Sequence, residues 1–310
     1  MTGGGADQRA PLAQRLARLA TPVDPRTRLP VPPLGELRRL ATLDDLVTRV
    51  LAPNPSMMAL DGTNTYVICA PGAGEAAVVD PGPPDEAHLS QVKSVLAGLG
   101  AECRWILVTH HHIDHSEAAL PWADRLGAQV GAAARRVAGP RGRLLDRGDE
   151  IRVGGTTIGV VPTPGHCADH LAFRLQTGGL LTGDHILGRG SSVVTYPDGD
   201  LIAYLESLRR VLDLGPSALY PGHGPHMTED PASVVRFYLD HRELRRRQIL
   251  TILADGPTDP PTMVRHVYHD TPAGLRPYAE QSTRAALHAM AQEGVIELDA
   301  SGIAALRKVA

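Results

Sequence analysis

The chain has 310 residues, 43% of them hydrophobic and 21% charged, enough to bury a sizeable core in one large domain with or without a smaller companion. A formal net charge of −3 gives no overall basic field for nucleic acid, and three cysteines (Cys69, Cys103, Cys167) cannot build a disulfide framework. No apolar run reaches the roughly 18 residues of a membrane span and no secretory apolar core opens the chain, so a cytoplasmic location without membrane partners is expected.

In chain order, residues 1–45 read as an irregular N-terminal extension, Gly-rich at Thr2–Ala6 and broken by five prolines between Thr21 and Leu34. Leu12–Ala20 could form two amphipathic turns, and Glu36–Val50 a short helix after Gly35. From Gly62, short β-rich runs alternate with helical periodicity. Strands are expected at Thr65–Ala70, Ala76–Asp80, Trp105–Thr109, Gln129–Ala132, Thr157–Val161, Leu171–Leu175, Gly179–Thr182 and Ala218–Tyr220. Helices are expected at Asp85–Leu99, Glu117–Leu126 and Leu201–Leu212. Strand pairs mixed with βα units imply two sheets with helices outside, an α+β body over residues 46–228. Beyond it the pattern turns helical: Asp230–Ala254, a helix near Met263–His269, and Gln281–Glu293, closed by a hairpin at Val295–Leu298 and Ile303–Leu306. Residues 229–310 are therefore read as a helical linker and a small winged-helix-like domain.

Fourteen histidines demand an explanation. The densest feature, Thr109-His110-His111-His112-Ile113-Asp114-His115, follows a strand directly, and such a turn lets alternate side chains project into one cleft. His110 and His112 could serve one metal while Asp114 and His115 turn towards a second. Three further residues sit at strand ends beside glycine: His166 in Thr163-Pro164-Gly165-His166, Asp184 in Thr182-Gly183-Asp184, and His223 in Tyr220-Pro221-Gly222-His223-Gly224. Together they point to a metal site. Cys167 reads as a buried thiol without a ligand role, and no G-x-S-x-G elbow offers a serine nucleophile.

With these motifs in place, the chain resembles the metallo-β-lactamase superfamily, whose five metal motifs match Asp80, the His110–His115 cluster, His166, Asp184 and His223 in order. The resemblance implies an αββα sandwich holding two metals, usually Zn2+, with Mn2+ or Fe2+ as possible occupants of the same donors. Carried over by motif, site one is His110, His112 and His166; site two is Asp114, His115 and His223; Asp184 bridges them. Asp80 and Thr109 would orient the ligands. Catalysis would fall to Asp114 and Asp184 with a metal-bridging hydroxide.

Within the superfamily, a Cys or Ser in place of Asp184 would mark true β-lactamases. The 38 residues between Asp184 and His223 leave no room for a β-CASP insertion. Asn54-Pro55, Asp61-Gly62-Thr63-Asn64-Thr65-Tyr66, Gly183–Gly188, Tyr220–Pro225 and His241-Arg242…Gln248-Ile249-Leu250 resemble the beta-lactamase-like protein 2 family. That family includes a single-stranded-RNA endoribonuclease, and relatives with the same Thr-Asn-Thr-Tyr signature release polyketides as thioesterases. Asn64 and Tyr66 would face the metals and contact substrate. The expected partner is thus single-stranded RNA or a small ester or thioester. From His241 to Ala310, nine basic residues against eight acidic ones make a poor reader of nucleic acid, which weighs against RNA. A non-catalytic, metal-sensing winged-helix regulator is a third reading.

Overall fold

The computed structural model describes residues 10–29 and 32–307. After helix α1 (Leu12–Ala17), a first sheet runs through β1 (Leu40–Thr42), β2 (Val47–Leu51), β3 (Asn64–Ile68) and β4 (Glu75–Val79) as antiparallel neighbours. Helix α2 (Glu86–Gly98) then carries the chain over to β5 (Glu102–Leu107), which pairs parallel with β4. The short α3 (Ile113–Ser116), α4 (Ala119–Leu126), β6 (Gln129–Ala132), α5 (Arg135–Ala138) and β7 (Arg143–Leu144) complete a seven-stranded sheet in sequential order. The second sheet has the order β12-β11-β10-β9-β8, from β8 (Glu150–Val153), β9 (Thr156–Pro162), β10 (Leu171–Leu175), β11 (Gly179–Gly183) and β12 (Ala218–Pro221). Helix α6 (Leu201–Leu214) connects β11 to β12, which are parallel; the other pairs are antiparallel.

The layers follow from alternation along strands buried on both faces. Val67, Val78 and Ile106 face Leu89, Val92 and Trp122 on the outer helices. Their neighbours Ile68, Val79 and Leu107 point the other way, into a core shared with Ile158, Val160 and Phe173 of the second sheet. The far face of that sheet packs on Tyr204, Leu208 and Val211 of α6 and on Val234, Val235 and Tyr238 of the next helix. Helix, sheet, sheet, helix is the resulting sandwich.

That next helix, α7 (Pro231–Leu253), reaches beyond the sandwich. Its second half joins α8 (Pro260–Val267), α9 (Arg276–Gln292) and the hairpin β13 (Ile296–Leu298) and β14 (Ala304–Leu306) around Ile252, Met263, Leu287 and Met290. Thr258 adds a further bridge to the hairpin, exchanging backbone bonds of 3.0 Å with Ala304. No described helix is long and apolar enough to cross a membrane.

The expected helix over Glu36–Val50 is corrected: this stretch forms β1, a turn and β2. Asp44 Oδ1 accepts the N–H groups of Leu46 and Val47 at 2.8 and 2.7 Å and closes the turn. The β-branched Val47, Thr48 and Val50 then line a strand buried throughout, so strand burial outweighs helical spacing. Parts of the N-terminal extension are also packed. Arg15 is buried and paired with Asp255, and Arg26 donates to the carbonyl oxygens of Leu187 (2.6 Å) and Gly190 (2.5 Å).

Candidate metal centre

Five strand ends meet on one edge of the sandwich. Asp80 follows β4, the His110–His115 turn follows β5, and His166, Asp184 and His223 follow β9, β11 and β12. The backbone must approach closely here. A Cβ on Gly222 would lie 2.6 Å from His115 Cε1, and one on Gly183, which sits at φ +47°, would lie 2.7 Å from Thr109 Oγ1.

Two groups of donors result. His112 Nδ1 lies 3.0 Å from both His110 Nε2 and His166 Nε2. Beside them, His115 Nε2 and His223 Nε2 are 3.1 Å apart, and Asp114 Oδ2 is 3.2 Å from His223 Nε2. Asp184 lies between the groups: Oδ1 is 3.3 Å from His115 Nε2 and 3.5 Å from His223 Nε2, while Oδ2 is 3.8 Å from His166 Nε2.

The opposite ring nitrogens fix which atoms face inward. His110 Nδ1–H donates to Thr109 Oγ1 at 3.0 Å, and Thr109 Oγ1 donates to Asp80 Oδ2 at 2.8 Å. His115 Nδ1–H donates to the same carboxylate oxygen at 2.9 Å, which leaves Asp80 Oδ1 to accept the Thr109 N–H at 2.8 Å. His166 Nδ1–H donates to the Val193 carbonyl oxygen (2.5 Å) and His223 Nδ1–H to that of Gly62 (3.1 Å). These bonds place the Nδ1 protons outside the cleft and turn the four Nε2 atoms towards it, as bare lone pairs on His110 and His166. Lone pairs about 3 Å apart repel unless a cation lies among them. The spacing matches the edge of a tetrahedron with metal–nitrogen bonds of 2.0–2.1 Å, about 3.3 Å. Asp184 Oδ1, buried without a hydrogen-bond donor, is the orphan such a cation would satisfy.

The electrostatics differ between the groups. Burial, reinforced by neighbouring histidines, holds His110 well below its ordinary value and pushes His112 down to about 4; burial also lowers His166, against the pull of Asp184 and of the Val193 carbonyl. Burial also opposes charge on His115 and His223, yet Asp184 and Asp114 outweigh it and raise both. Asp184 is likewise held well below the usual carboxylate range: burial disfavours its charge, but His223 and His115 prevail.

The structure thus brings together His110, His112, Asp114, His115, His166, Asp184 and His223, with Asp80 and Thr109 behind them. Asn64 and Tyr66 are corrected. Both are buried, and neither lines the cleft. Asn64 Nδ2 donates to the carbonyl oxygens of Pro221 (2.8 Å) and Gly224 (2.7 Å), and the Tyr66 hydroxyl donates to that of Pro221 (2.8 Å). They clamp the turn that carries His223.

His170 was missed as a working part. Its Nε2 accepts the Asp184 N–H at 3.1 Å, its Nδ1 meets Thr163 Oγ1 at 2.8 Å, and its ring stacks on His110. Ser192 was missed as well; its hydroxyl donates to the Asp184 carbonyl oxygen. Nothing but a histidine among turn residues signals the former, and nothing signals the latter. Cys167 Sγ stands within 4.8 Å of the donor atoms of His110, His112 and His166. Burial, reinforced by Asp169, pushes its thiol up, so it stays neutral.

The fold and these donors define a metallo-hydrolase class, and the family model described as "Metallo-beta-lactamase superfamily" matches residues 58–223. The chain belongs to that superfamily. It is 32% identical over 277 residues to the "Beta-lactamase-like protein 2 homolog" of Caenorhabditis elegans, covering 86% of this chain and 91% of that one. The "Atrochrysone carboxyl ACP thioesterase" of Aspergillus fumigatus is 34% identical over 229 residues, covering 71% of this chain and 69% of its own. A crystal structure of a metallo-beta-lactamase family protein from Thermus thermophilus superimposes with a TM-score of 0.72 at 26% identity, over 86% of this chain and all of that one.

Proposed function

We propose that the chain is a two-metal hydrolase of thioesters or comparably activated esters. His110 Nε2, His112 Nδ1 and His166 Nε2 would hold one ion, Asp114, His115 and His223 the other, and Asp184 both. Nitrogen and carboxylate donors suit zinc, and manganese or iron accepts the same set. When bound, such ions bring the pKa of water towards neutrality and polarise a carbonyl oxygen.

The protein supplies the rest. Asp114 faces the cleft with its side chain one third exposed. Burial would raise its carboxyl, but His115 and a hydrogen bond from His223 bring it down to about 2, so it stays ionised. It can orient an attacking water and accept its proton. Asp184, held from behind by His170 and Ser192, keeps the two donor groups in register.

The observation that carries the ester reading is the wall beside the donors. Met57, Met58, Leu60 and Leu187 line a cleft of about 660 Å³ and offer an acyl group an apolar surface. The thioesterase among the relatives supports the same choice. Tyr268, Leu275 and Tyr278 close the cleft from the C-terminal side, which we read as a winged-helix-like cap and not a reader of nucleic acid. The deciding experiment offers the zinc-loaded chain acyl-pantetheine thioesters, lactones and single-stranded RNA in parallel. Thiol release that stops on chelation is expected. RNA cleavage without thiol release, or full activity in metal-free protein, would overturn the reading.

A further inference from the structure

One wall of the cleft carries three arginines that this chemistry does not use. Arg242 and Arg245 lie one turn apart on α7, Arg189 lies on the loop after Asp184, and all three line the cleft. Arg242 is only 7% exposed, and its Nε has no hydrogen-bond partner. Arg189 Nε and Nη2 and Arg245 Nε are buried and unpartnered as well.

Among the described residues, none of the three pairs with a carboxylate. Arg242 donates to the Ser192 carbonyl oxygen and stands 5.0 Å from the Tyr204 ring centre. Arg245 donates to Gln248 Oε1 at 2.7 Å and stands 4.5 Å from the Tyr268 ring centre. A buried cation without a counter-charge is costly. Burial lowers Arg245 below its ordinary value, and Arg242 adds like-charge repulsion. Of the described residues, the only carboxylates lining the cleft, Asp114 and Asp184, belong to the metal donors, so unpartnered guanidinium groups beside it suit an anion. Three forks exceed what the two oxygens of a carboxylate can accept, whereas phosphate matches them.

We propose that Arg189, Arg242 and Arg245 form a subsite for a phosphate ester on the thiol side of the substrate. The inference rests on the thioester reading and specifies its leaving group: a thiol whose far end bears phosphate. The apolar wall at Met57, Met58 and Leu60 is left for the acyl chain.

The test compares S-hexanoyl-4′-phosphopantetheine with S-hexanoyl-pantetheine on the zinc-loaded full chain. Charge-assisted bonds of the size expected here give the phosphorylated substrate about a tenfold or greater advantage in kcat/KM, expressed in KM. Arg245→Gln and, separately, Arg189→Gln should shrink that ratio towards one, and equal values in the wild type overturn the proposal. A second readout is calorimetric titration of the full chain with 4′-phosphopantetheine before metal is added. Binding should compete with inorganic phosphate and weaken about tenfold in Arg245→Gln. Arginine-dependent binding with no hydrolysis of either thioester sinks the thioester reading and leaves the subsite standing. Hydrolysis of both at equal efficiency with no such binding sinks the subsite alone. Tighter arginine-dependent binding of a single-stranded oligoribonucleotide than of phosphopantetheine assigns the wall to a nucleic-acid backbone and overturns it.

Discussion

Asp80→Asn separates support of the metal centre from support of the fold. Asp80 has φ +51°, a left-handed conformation that Asn also tolerates, so the backbone is spared. The carboxylate accepts three hydrogen bonds of 2.8–2.9 Å, two of them on Oδ2 from Thr109 Oγ1 and His115 Nδ1. An amide that keeps its oxygen on the Thr109 N–H turns its NH2 towards both of those donors. Thr109 can rotate its hydroxyl and accept. His115 can respond only by becoming an acceptor at Nδ1, which moves its proton to Nε2, the atom 3.1 Å from His223 and aimed at the metal. Losing a ligand's orienting partner costs about 10–100-fold in metal affinity, roughly 1.4–2.7 kcal/mol. Exchanging charged for neutral hydrogen bonds should lower the stability of the metal-free chain by about 1–3 kcal/mol. Zinc competition against a chromophoric chelator, with thermal melting in parallel, measures both. Weaker binding of the second zinc and a nearly unchanged first are expected. A variant that melts lower yet binds both ions with wild-type affinity would refute the tautomer argument.

Asp184→Ala, or exhaustive chelation, should abolish thiol release while the chain stays folded by circular dichroism; retained activity would contradict the assignment. Gly222→Ala places a Cβ 2.7 Å from Asp184 Oδ1, so metal content by mass spectrometry should fall from two ions to one or none. Asn64→Ala removes two buried hydrogen bonds and should cost about 1–3 kcal/mol in denaturant unfolding, with weaker metal binding through His223. Because His110, His112 and His166 titrate below their ordinary range and His115 and His223 above it, occupancy should grow with pH, the first group filling before the second. The raised pair stabilises the metal-free fold below the ordinary histidine pKa. That contribution should fade as pH rises through their folded values, opposite in sign to the gain in metal affinity.

The two-sheet body is legible because its strands are short, β-rich and bounded by turns, and because α2, α4 and α6 carry regular periodicity. What escaped was the edge. Glu36–Val50 has apolar spacing compatible with a helix, and only the Asp44 turn and the burial of β2 beside β3 decide otherwise. Strand β7 is two residues long, too short to announce itself. Packing of Arg15 and Arg26 onto segments 160 to 240 positions away leaves no local trace.

The donors of the metal centre are legible for a related reason: they belong to the short turns that end strands, where spacing and glycine reveal them. Asp80 and Thr109, which orient His110 and His115, share that legibility, but the groups that orient the remaining histidines do not. The partners of His166 and His223 are the backbone oxygens of Val193 and Gly62, which any residue type would supply. Asn64 and Tyr66 illustrate the converse. Their place in a Thr-Asn-Thr-Tyr signature beside the site suggests substrate contact, yet their bonds run to Pro221 and Gly224, some 160 positions on. A signature near a metal can therefore record what holds a ligand loop as readily as what touches a substrate. The same reasoning moves specificity elsewhere. Besides the metal donors, the side chains that line the cleft, among them Met57, Met58, Arg189, Arg242 and Tyr268, come from segments outside all five metal motifs. A superfamily that keeps those motifs can change substrate through these walls, because the donors fix the chemistry and the walls select the group presented to it.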